Sequence, residues 1–203
     1  KNEGLTFDQR LAKRVLDLVV SIIALVITSP VMLVIAIAIK AYDGGPLFFV
    51  QDRCTINGKV FKIHKFRSMI ENAEKDGEVI PATDDDARIT PVGKIIRKTR
   101  LDELPQFFDI LIGNMSVVGP RPERVEKYVE EVPEFTYRMK VKGGLTGYAQ
   151  IYGKYNTSAY DKLKLDLMYI QNYSILLDLR LILMTVKIMF IKDSTEGFEE
   201  IKP

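Results

Sequence analysis

From Leu18 to Ile39 the chain runs LVVSIIALVITSPVMLVIAIAI, 22 residues without a charge. At about 1.5 Å of rise per residue such a helix reaches roughly 33 Å, enough to cross a bilayer hydrocarbon core of about 30 Å. The rest of the chain must therefore be arranged around a membrane helix. Ser29-Pro30 lies in the middle of the run. Proline there removes one helical hydrogen bond and clashes with the carbonyl of Val26, and the Ser29 hydroxyl can satisfy a carbonyl that the kink sets free. Two arrangements are open on these residues: a kinked helix that spans the bilayer, or a helix that breaks at Ser29-Pro30 and re-enters, leaving both ends on one face. Arg10, Lys13 and Arg14 flank one end, while Lys40 and the polar remainder flank the other, so the excess of positive charge does not choose between them.

The 203 residues suffice for one core, so a single domain is expected over 1–203, with its membrane part at about 15–40 and its polar part at about 41–203. A net charge of +2, with no continuous basic stripe interleaved with aromatics, argues against nucleic acid as a partner. The one cysteine, Cys54, excludes an internal disulfide and a cysteine-rich zinc site. The one histidine, His64, sits in the strand-like run FKIHKF and is expected to be structural or superficial. The apolar run is too long for a signal peptide and has no small-residue cleavage site after it. The chain does not begin with Met, which fits a domain of a longer protein as well as a trimmed one.

Around the apolar run, Lys1 to Lys13 reads as a surface segment with a helix starting near Thr6-Phe7-Asp8, and Asp43-Gly44-Gly45-Pro46 as the turn that ends the membrane element. Leu47–Gln51 and Lys59–Phe66 read as strands of a hairpin turned at Asn57-Gly58. Their polar residues Gln51, Arg53, Lys62, Lys65 and Arg67 form either a solvated face or a cationic wall for phosphates. Glu71 to Ala87 reads as an acidic surface loop, in which Asp84-Asp85-Asp86 could hold a divalent metal or simply be solvated. A short helix follows over Ile89 to Arg100, with Pro91 in its first turn. Arg124 to Met139 reads as a charged helix interrupted at Pro133, Gly143 to Gly147 as a glycine-rich loop able to approach a ligand, and Asp161 to Asn172 as a helix with Leu163, Leu167 and Ile170 on its apolar side. Ile175 to Ile191 is apolar but broken by Asp178, Arg180 and Lys187, the pattern of a helix lying in the membrane interface with snorkelling cations.

The densest chemistry lies in Ile96 to Glu123, IRKTRLDELPQFFDILIGNMSVVGPRPE. Asp102 and Glu103 are preceded by Arg97, Lys98 and Arg100 and followed by Pro105, a residue at home in a first helical turn. The pair is thus expected at or near a helix N-terminus, where backbone N–H groups keep an Asp ionised. A plain N-cap would look the same. Further on, two prolines fix the backbone on either side of Arg121, so its guanidinium is presented with little entropy left to lose, which suits phosphate binding.

Taken in order, Lys13-Arg14 with Asp17, Ser29-Pro30, Gly45-Pro46-Leu47-Phe48 with Gln51 and Arg53, Lys65-Phe66-Arg67-Ser68-Met69, Asp86-Ala87-Arg88-Ile89-Thr90, Leu101-Asp102-Glu103-Leu104-Pro105-Gln106, Val118-Gly119-Pro120-Arg121-Pro122 and Gly144-Leu145-Thr146-Gly147 resemble the monotopic phosphoglycosyl transferases, the bacterial sugar transferase family. The resemblance implies a mainly helical α+β fold: a re-entrant helix-break-helix hairpin at Ser29 and Pro30, interfacial amphipathic helices and a small β-hairpin. It further implies transfer of a sugar 1-phosphate from a UDP-sugar to a polyprenyl phosphate, with release of UMP, at the cytoplasmic face of a bacterial inner membrane. On that reading Asp102 is the nucleophile of a covalent aspartyl phosphosugar and Glu103 a metal ligand or proton acceptor. Asp102 and Glu103 hold Mg2+, and Lys65, Arg67, Arg88 and Arg121 bind phosphate. The lipid bilayer is a partner, a homo-oligomer is open, and the likeness leans towards glucose or galactose. Many members carry proline where this chain has Gly143. Two other readings remain open: a scaffold anchored to the membrane surface, and a glycosyltransferase holding its metal on Asp84-Asp85-Asp86.

Overall fold

In the computed structural model, which describes residues 4–71, 73, 86–124, 133–153 and 157–189, Thr6 opens a single helix of 37 residues, α1 (Phe7–Asp43). The Thr6 hydroxyl accepts from the Gln9 N–H and the Gln9 side chain accepts from the Thr6 N–H, a reciprocal cap that fixes the first turn. Gly44, with φ of 71°, ends the helix in the left-handed conformation that glycine adopts without strain. The chain stays helical through Pro30. The Ser29 hydroxyl donates to the Val26 carbonyl at 2.9 Å, as expected for the group that Pro30 leaves without its amide.

Both halves of α1 pack against the same body of the protein. In the first half Lys13, Asp17 and Ser21 are buried, and in the second Ile35 and Ile39. Between them Ile22, Ile23, Val26, Ile27, Val31 and Val34 are exposed. Only 11 % of the most apolar 18-residue window is buried, so this helix, long and apolar enough to cross a membrane, is not the core helix of the body beside it.

The body begins with the antiparallel hairpin β1 (Phe48–Cys54) and β2 (Val60–Phe66), in register from Phe48 opposite Phe66 to Cys54 opposite Val60. β1 therefore runs three residues beyond the expected Gln51. The turn is the 3-10 segment Ile56–Gly58, with Asn57 and Gly58 both at positive φ, as an Asn-Gly turn demands. Thr90 caps α2 (Pro91–Lys98) through the Gly93 N–H, with Pro91 in the first turn. A 3-10 turn, Leu101–Glu103, leads through Pro105 into the short helix α3 (Gln106–Leu111).

Gly144–Thr146, expected as part of a loop, is a strand: β4 pairs in parallel with β3 (Ser116–Val118). Its glycine serves backbone contact rather than a ligand. A Cβ on Gly144 would lie 2.1 Å from the Gly119 nitrogen, so the two chains approach as closely as they do only without side chains. Pro133–Lys140 is a 3-10 helix, and the expected charged helix before it lies outside the described residues. Three helices close the fold: α4 (Tyr148–Tyr152), α5 (Ala159–Gln171) and α6 (Ile175–Met189).

The main core gathers Phe61 and Ile63 of β2, Ile110 of α3, Val117 and Val118 of β3, Tyr169 of α5 and Leu181 of α6. A second cluster joins Ile35 and Ile39 of α1 to Phe66, Ile96 and Leu104, directly behind the carboxylate turn. α6 is apolar and exposed at Leu176, Leu179, Leu183 and Val186. Asp178, which seemed to interrupt it, is fully buried and points inward onto Lys13 at 2.7 Å.

Candidate active site

Asp102 and Glu103 sit on the 3-10 turn just before α3, and the residue that feeds the turn, Arg100, has φ of 55°, a left-handed conformation unusual for a side chain other than glycine. The turn is wedged between β2 and α2, which brings Lys65 of β2 to it from one side. The loop after β3 brings Arg121 from the other. Both cations converge on one oxygen: Lys65 Nζ lies 2.6 Å and Arg121 Nη2 2.7 Å from Glu103 Oε1. Burial pushes the Glu103 carboxyl up, but Arg121 and Lys65 outweigh it and hold the group well below the usual carboxylate range. Burial lowers Lys65, against the pull of Glu103.

Asp102 behaves oppositely. It makes no hydrogen bond among the described residues, and burial raises its pKa, opposed first by Lys65 and then by Arg97 and Arg121. The expectation that a helix N-terminus would depress it is corrected here: no backbone N–H reaches the carboxylate, because it lies on the 3-10 turn ahead of α3. The result is a desolvated, unpartnered carboxylate beside a locked one, with cations on three sides.

The structure does not bring the remaining expected phosphate ligands to this pair. Arg67 is buried and committed elsewhere: its guanidinium grips Asp43 at the end of α1, with Nη1 at 2.6 Å from Oδ2, while Nε donates to the Pro46 carbonyl at 2.6 Å. It clamps the exit of α1. Arg88 is held by Asp86, its Nε at 2.9 Å from Oδ1 and Nη2 at 2.5 Å from Oδ2. That pairing occupies the Asp86 carboxylate, while Asp84 and Asp85 lie outside the described residues. Ser29 and Pro30 stand far along α1 within its exposed apolar stretch. His64, expected as structural or superficial, has its Nδ1 2.8 Å from the fully buried Asp109, which also accepts the His64 N–H at 2.9 Å.

Among the described residues no three His, Cys, Asp or Glu side chains gather into a metal cluster. Asp102 and Glu103 nonetheless fit a hard cation that brings its own phosphate ligands, since Mg2+ is commonly held by one or two carboxylates plus substrate oxygens. Among the described residues Asp102 has no hydrogen-bond partner, and Glu103 has both cations on Oε1, leaving Oε2 without one.

The loop bearing Arg121 is fixed from behind by Arg53, which the sequence placed on the hairpin's polar face, and by Arg138, which sequence reading passed over. Arg53 Nη1 donates to the Pro122 carbonyl at 3.2 Å, and Arg138 Nη2 to the Arg121 carbonyl at 2.9 Å. Burial and the neighbouring Arg121 and Arg124 bring Arg53 down to about 10. Gly143 lies against this loop as well, where a Cβ would stand 2.6 Å from Pro122 Cγ. Asp166, which pairs with Arg138, lies between Leu163 and Ile170 on the apolar side of α5, and a carboxylate in that register was a legible signal. Arg138 gave no comparable sign.

A family model described as bacterial sugar transferase matches residues 8–192. The chain is 47% identical over 190 residues to a UDP-glucose:undecaprenyl-phosphate glucose-1-phosphate transferase of Klebsiella pneumoniae, which covers 90% of this chain and 41% of that relative. It is 42% identical over 181 residues to a UDP-N-acetylgalactosamine-undecaprenyl-phosphate N-acetylgalactosaminephosphotransferase of Aeromonas hydrophila, covering 86% of this chain and 43% of the relative. The Exopolysaccharide production protein PSS of Rhizobium leguminosarum is 38% identical over 185 residues, covering 86% of this chain and 92% of the relative. The chain thus spans about two fifths of the first two relatives and most of the third.

Proposed function

The chain belongs to the bacterial sugar transferase family, and on that premise we propose that it moves a sugar 1-phosphate from a UDP-sugar to undecaprenyl phosphate in two displacements at one phosphorus, starting exopolysaccharide or glycoconjugate synthesis. The relatives' names support this substrate pair. The observation that carries the mechanism is the unlike state of two adjacent carboxylates: Glu103 tied to Lys65 and Arg121, Asp102 desolvated and untied. A nucleophile needs an available lone pair, and burial strips the water that would mask it.

In the first step a carboxylate oxygen of Asp102 attacks the β-phosphorus. The bond from that phosphorus to the bridging oxygen breaks, UMP leaves with the electron pair, and an aspartyl phosphosugar remains. In the second step a phosphate oxygen of the polyprenyl phosphate attacks the same phosphorus and the Asp102 carboxylate departs unchanged, leaving a polyprenyl diphosphate sugar. The soluble donor and the lipid acceptor thus never compete for the pocket together. Arg121, pinned to Glu103 yet 41% exposed, presents its remaining donors to nonbridging oxygens, and Lys65 adds charge from the opposite side. Glu103 positions both cations. Mg2+ held by Asp102 and Glu103 would neutralise charge on the diphosphate and on departing UMP.

The membrane part is read as re-entrant. Its support is that Lys13 and Asp17, before the exposed stretch, and Ile35, Ile39 and Asp43, after it, all touch one body. A straight spanning helix would put those residues on opposite sides of the bilayer; on the re-entrant reading the unbroken α1 instead bends near Ser29-Pro30 and both of its ends stay with the catalytic body, which the family resemblance puts at the cytoplasmic face. Single cysteines placed at Leu5 and at Tyr42 in a Cys54→Ser chain should both resist an impermeant thiol reagent in intact cells; labelling of one end only would overturn re-entry.

Products test the reaction class. With a UDP-sugar, Mg2+ and polyprenyl phosphate, the nucleotide released is expected to be UMP. Release of UDP would mean glycosyl transfer and would sink the proposal.

A further inference from the structure

Three successive carbonyls of the loop that carries Arg121 are held by three different partners. Arg138 Nη2 donates to the Arg121 carbonyl at 2.9 Å, Arg53 Nη1 to that of Pro122 at 3.2 Å, and the Cys54 N–H to that of Glu123 at 3.0 Å. The first anchor is itself anchored. The Arg138 side chain is 3% exposed and that of Asp166 1%, and Arg138 Nη2 lies 2.7 Å from Asp166 Oδ2. Arg138 Nη1 stands 3.6 Å from Glu123 Oε1, and its guanidinium is 5.3 Å from the centre of the Phe135 ring. One guanidinium thus links α5 and the loop from inside the protein.

Two charges buried this deeply are a poor way to stabilise a fold, because the loss of hydration offsets most of their attraction and an apolar pair of the same volume does as well. Their direction explains them better. Nη2 of the guanidinium lies within ion-pair distance of Asp166 Oδ2 and donates to the Arg121 carbonyl, so the buried carboxylate holds by charge the nitrogen that anchors the Arg121 backbone. We propose that Asp166 and Arg138 are positioning residues for donor binding: the pair holds the Arg121 backbone so that its guanidinium meets both Glu103 and the diphosphate of the nucleotide sugar. The inference rests on the phosphosugar transfer proposed above and deepens it.

A pH dependence follows from the surroundings of Asp166. Burial raises its pKa to about 6; Arg138 opposes that rise and Glu123 adds to it, and among the described residues these are the charged groups that face it. Above that value the carboxylate is ionised and draws on Arg138. Below it the carboxyl is neutral, the charge that steadies Arg138 is gone, and the inner anchor of the loop loosens. Donor affinity should therefore fall as pH drops through about 6, separately from any change in the chemical step.

The test uses the whole chain in nanodiscs, with UDP-glucose, UDP-galactose and UDP-N-acetylgalactosamine as donor probes in the presence of Mg2+. Donor affinity is read by calorimetry between pH 5 and 8, UMP release with polyprenyl phosphate is read on the same samples, and thermal unfolding reports the fold. Asp166→Asn keeps the shape and removes the charge; Arg138→Lys keeps the charge and removes the fork. Each is expected to weaken donor binding about tenfold at pH 7.5 while changing the rate at saturating donor less than threefold, and Asp166→Asn should lose the decline in affinity near pH 6. If Asp166→Asn fails to fold, Arg138→Lys and the wild-type affinity profile decide the matter. Wild-type affinity flat from pH 5 to 8, or folded variants binding donor as well as the wild type, would overturn the inference and leave the transfer reaction standing. A wild-type protein that binds none of the donors and releases no UMP would overturn both.

Discussion

Two sites in this protein bring carboxylates and cations together at nearly the same distance and are built for opposite ends. Lys13 and Asp178 meet at 2.7 Å with side chains 6% and 0% exposed, and Tyr169 completes them, its hydroxyl donating to Asp178 at 2.8 Å and accepting from Lys13 at 3.0 Å. Glu103 meets Lys65 at 2.6 Å and Arg121 at 2.7 Å, but Arg121 remains 41% exposed and Asp102 beside it has no partner among the described residues. The first site is closed: its groups satisfy one another, and what it does is fasten the start of α1 to α6. The second has donors to spare, the condition for receiving an anion, and beside them a carboxylate without a partner among the described residues. Distance alone would not have told them apart; completeness of the hydrogen bonding does.

The comparison breaks most sharply at Asp102. Asp102→Asn should cut UMP release by about 10^3-fold or more, roughly 4 kcal/mol, while thermal unfolding stays within about 0.5 kcal/mol of the wild type; appreciable turnover would remove Asp102 as the nucleophile. At the closed site the pattern should invert. Lys13→Met strands Asp178 without its cation and is expected to lower stability by about 3 kcal/mol in denaturant titrations, with the folded fraction keeping its donor affinity. Lost activity at unchanged stability would place that pair in the chemistry instead. Arg121→Ala removes a charged donor from the open site and should weaken UDP-sugar binding by about 2 kcal/mol, near 30-fold, with little effect on unfolding. Unchanged affinity would make the proline-bracketed arginine structural.

Acid sharpens the contrast between the two adjacent carboxylates by a smaller margin. Burial raises Asp102, so its ionised, reactive form is present above the raised value and lost as pH falls through it, whereas Glu103 stays ionised because Arg121 and Lys65 hold it low. The limiting rate of donor turnover should therefore decline with a midpoint above the ordinary Asp value of about 3.9. A rate indifferent to pH down to that value would contradict the assignment.

Sequence made visible those features that depend on local chemistry. The uncharged run announced α1, Asn57-Gly58 announced the hairpin, and the prolines around Arg121 announced a stiff loop that does carry its guanidinium to Glu103. What it hid depends on distant partners. Lys65 lies near the end of β2 and Arg67 just past it, two positions on, yet only Lys65 reaches Glu103; Arg67 is taken by Asp43, 24 positions away in the chain. Gly144 looked like a ligand loop because a glycine spares room for any close neighbour, and the neighbour turned out to be the backbone of Gly119. Asp178 read as a flaw in an apolar helix because its cation comes from the other end of the chain. Long-range pairing of charges is what periodicity cannot report.

The account stands or falls on whether the carboxylate of Asp102 becomes covalently loaded. Intact-protein mass should be recorded after incubating the nanodisc-embedded chain with Mg2+ and UDP-glucose, UDP-galactose or UDP-N-acetylgalactosamine, with no lipid acceptor present. A sugar phosphate adduct that maps to Asp102 and vanishes on adding polyprenyl phosphate is the predicted result, and the donor that gives it names the sugar. UMP release only when both substrates are present, with no adduct from any donor that turns over, would contradict the account and make Asp102 a ligand or base in direct transfer.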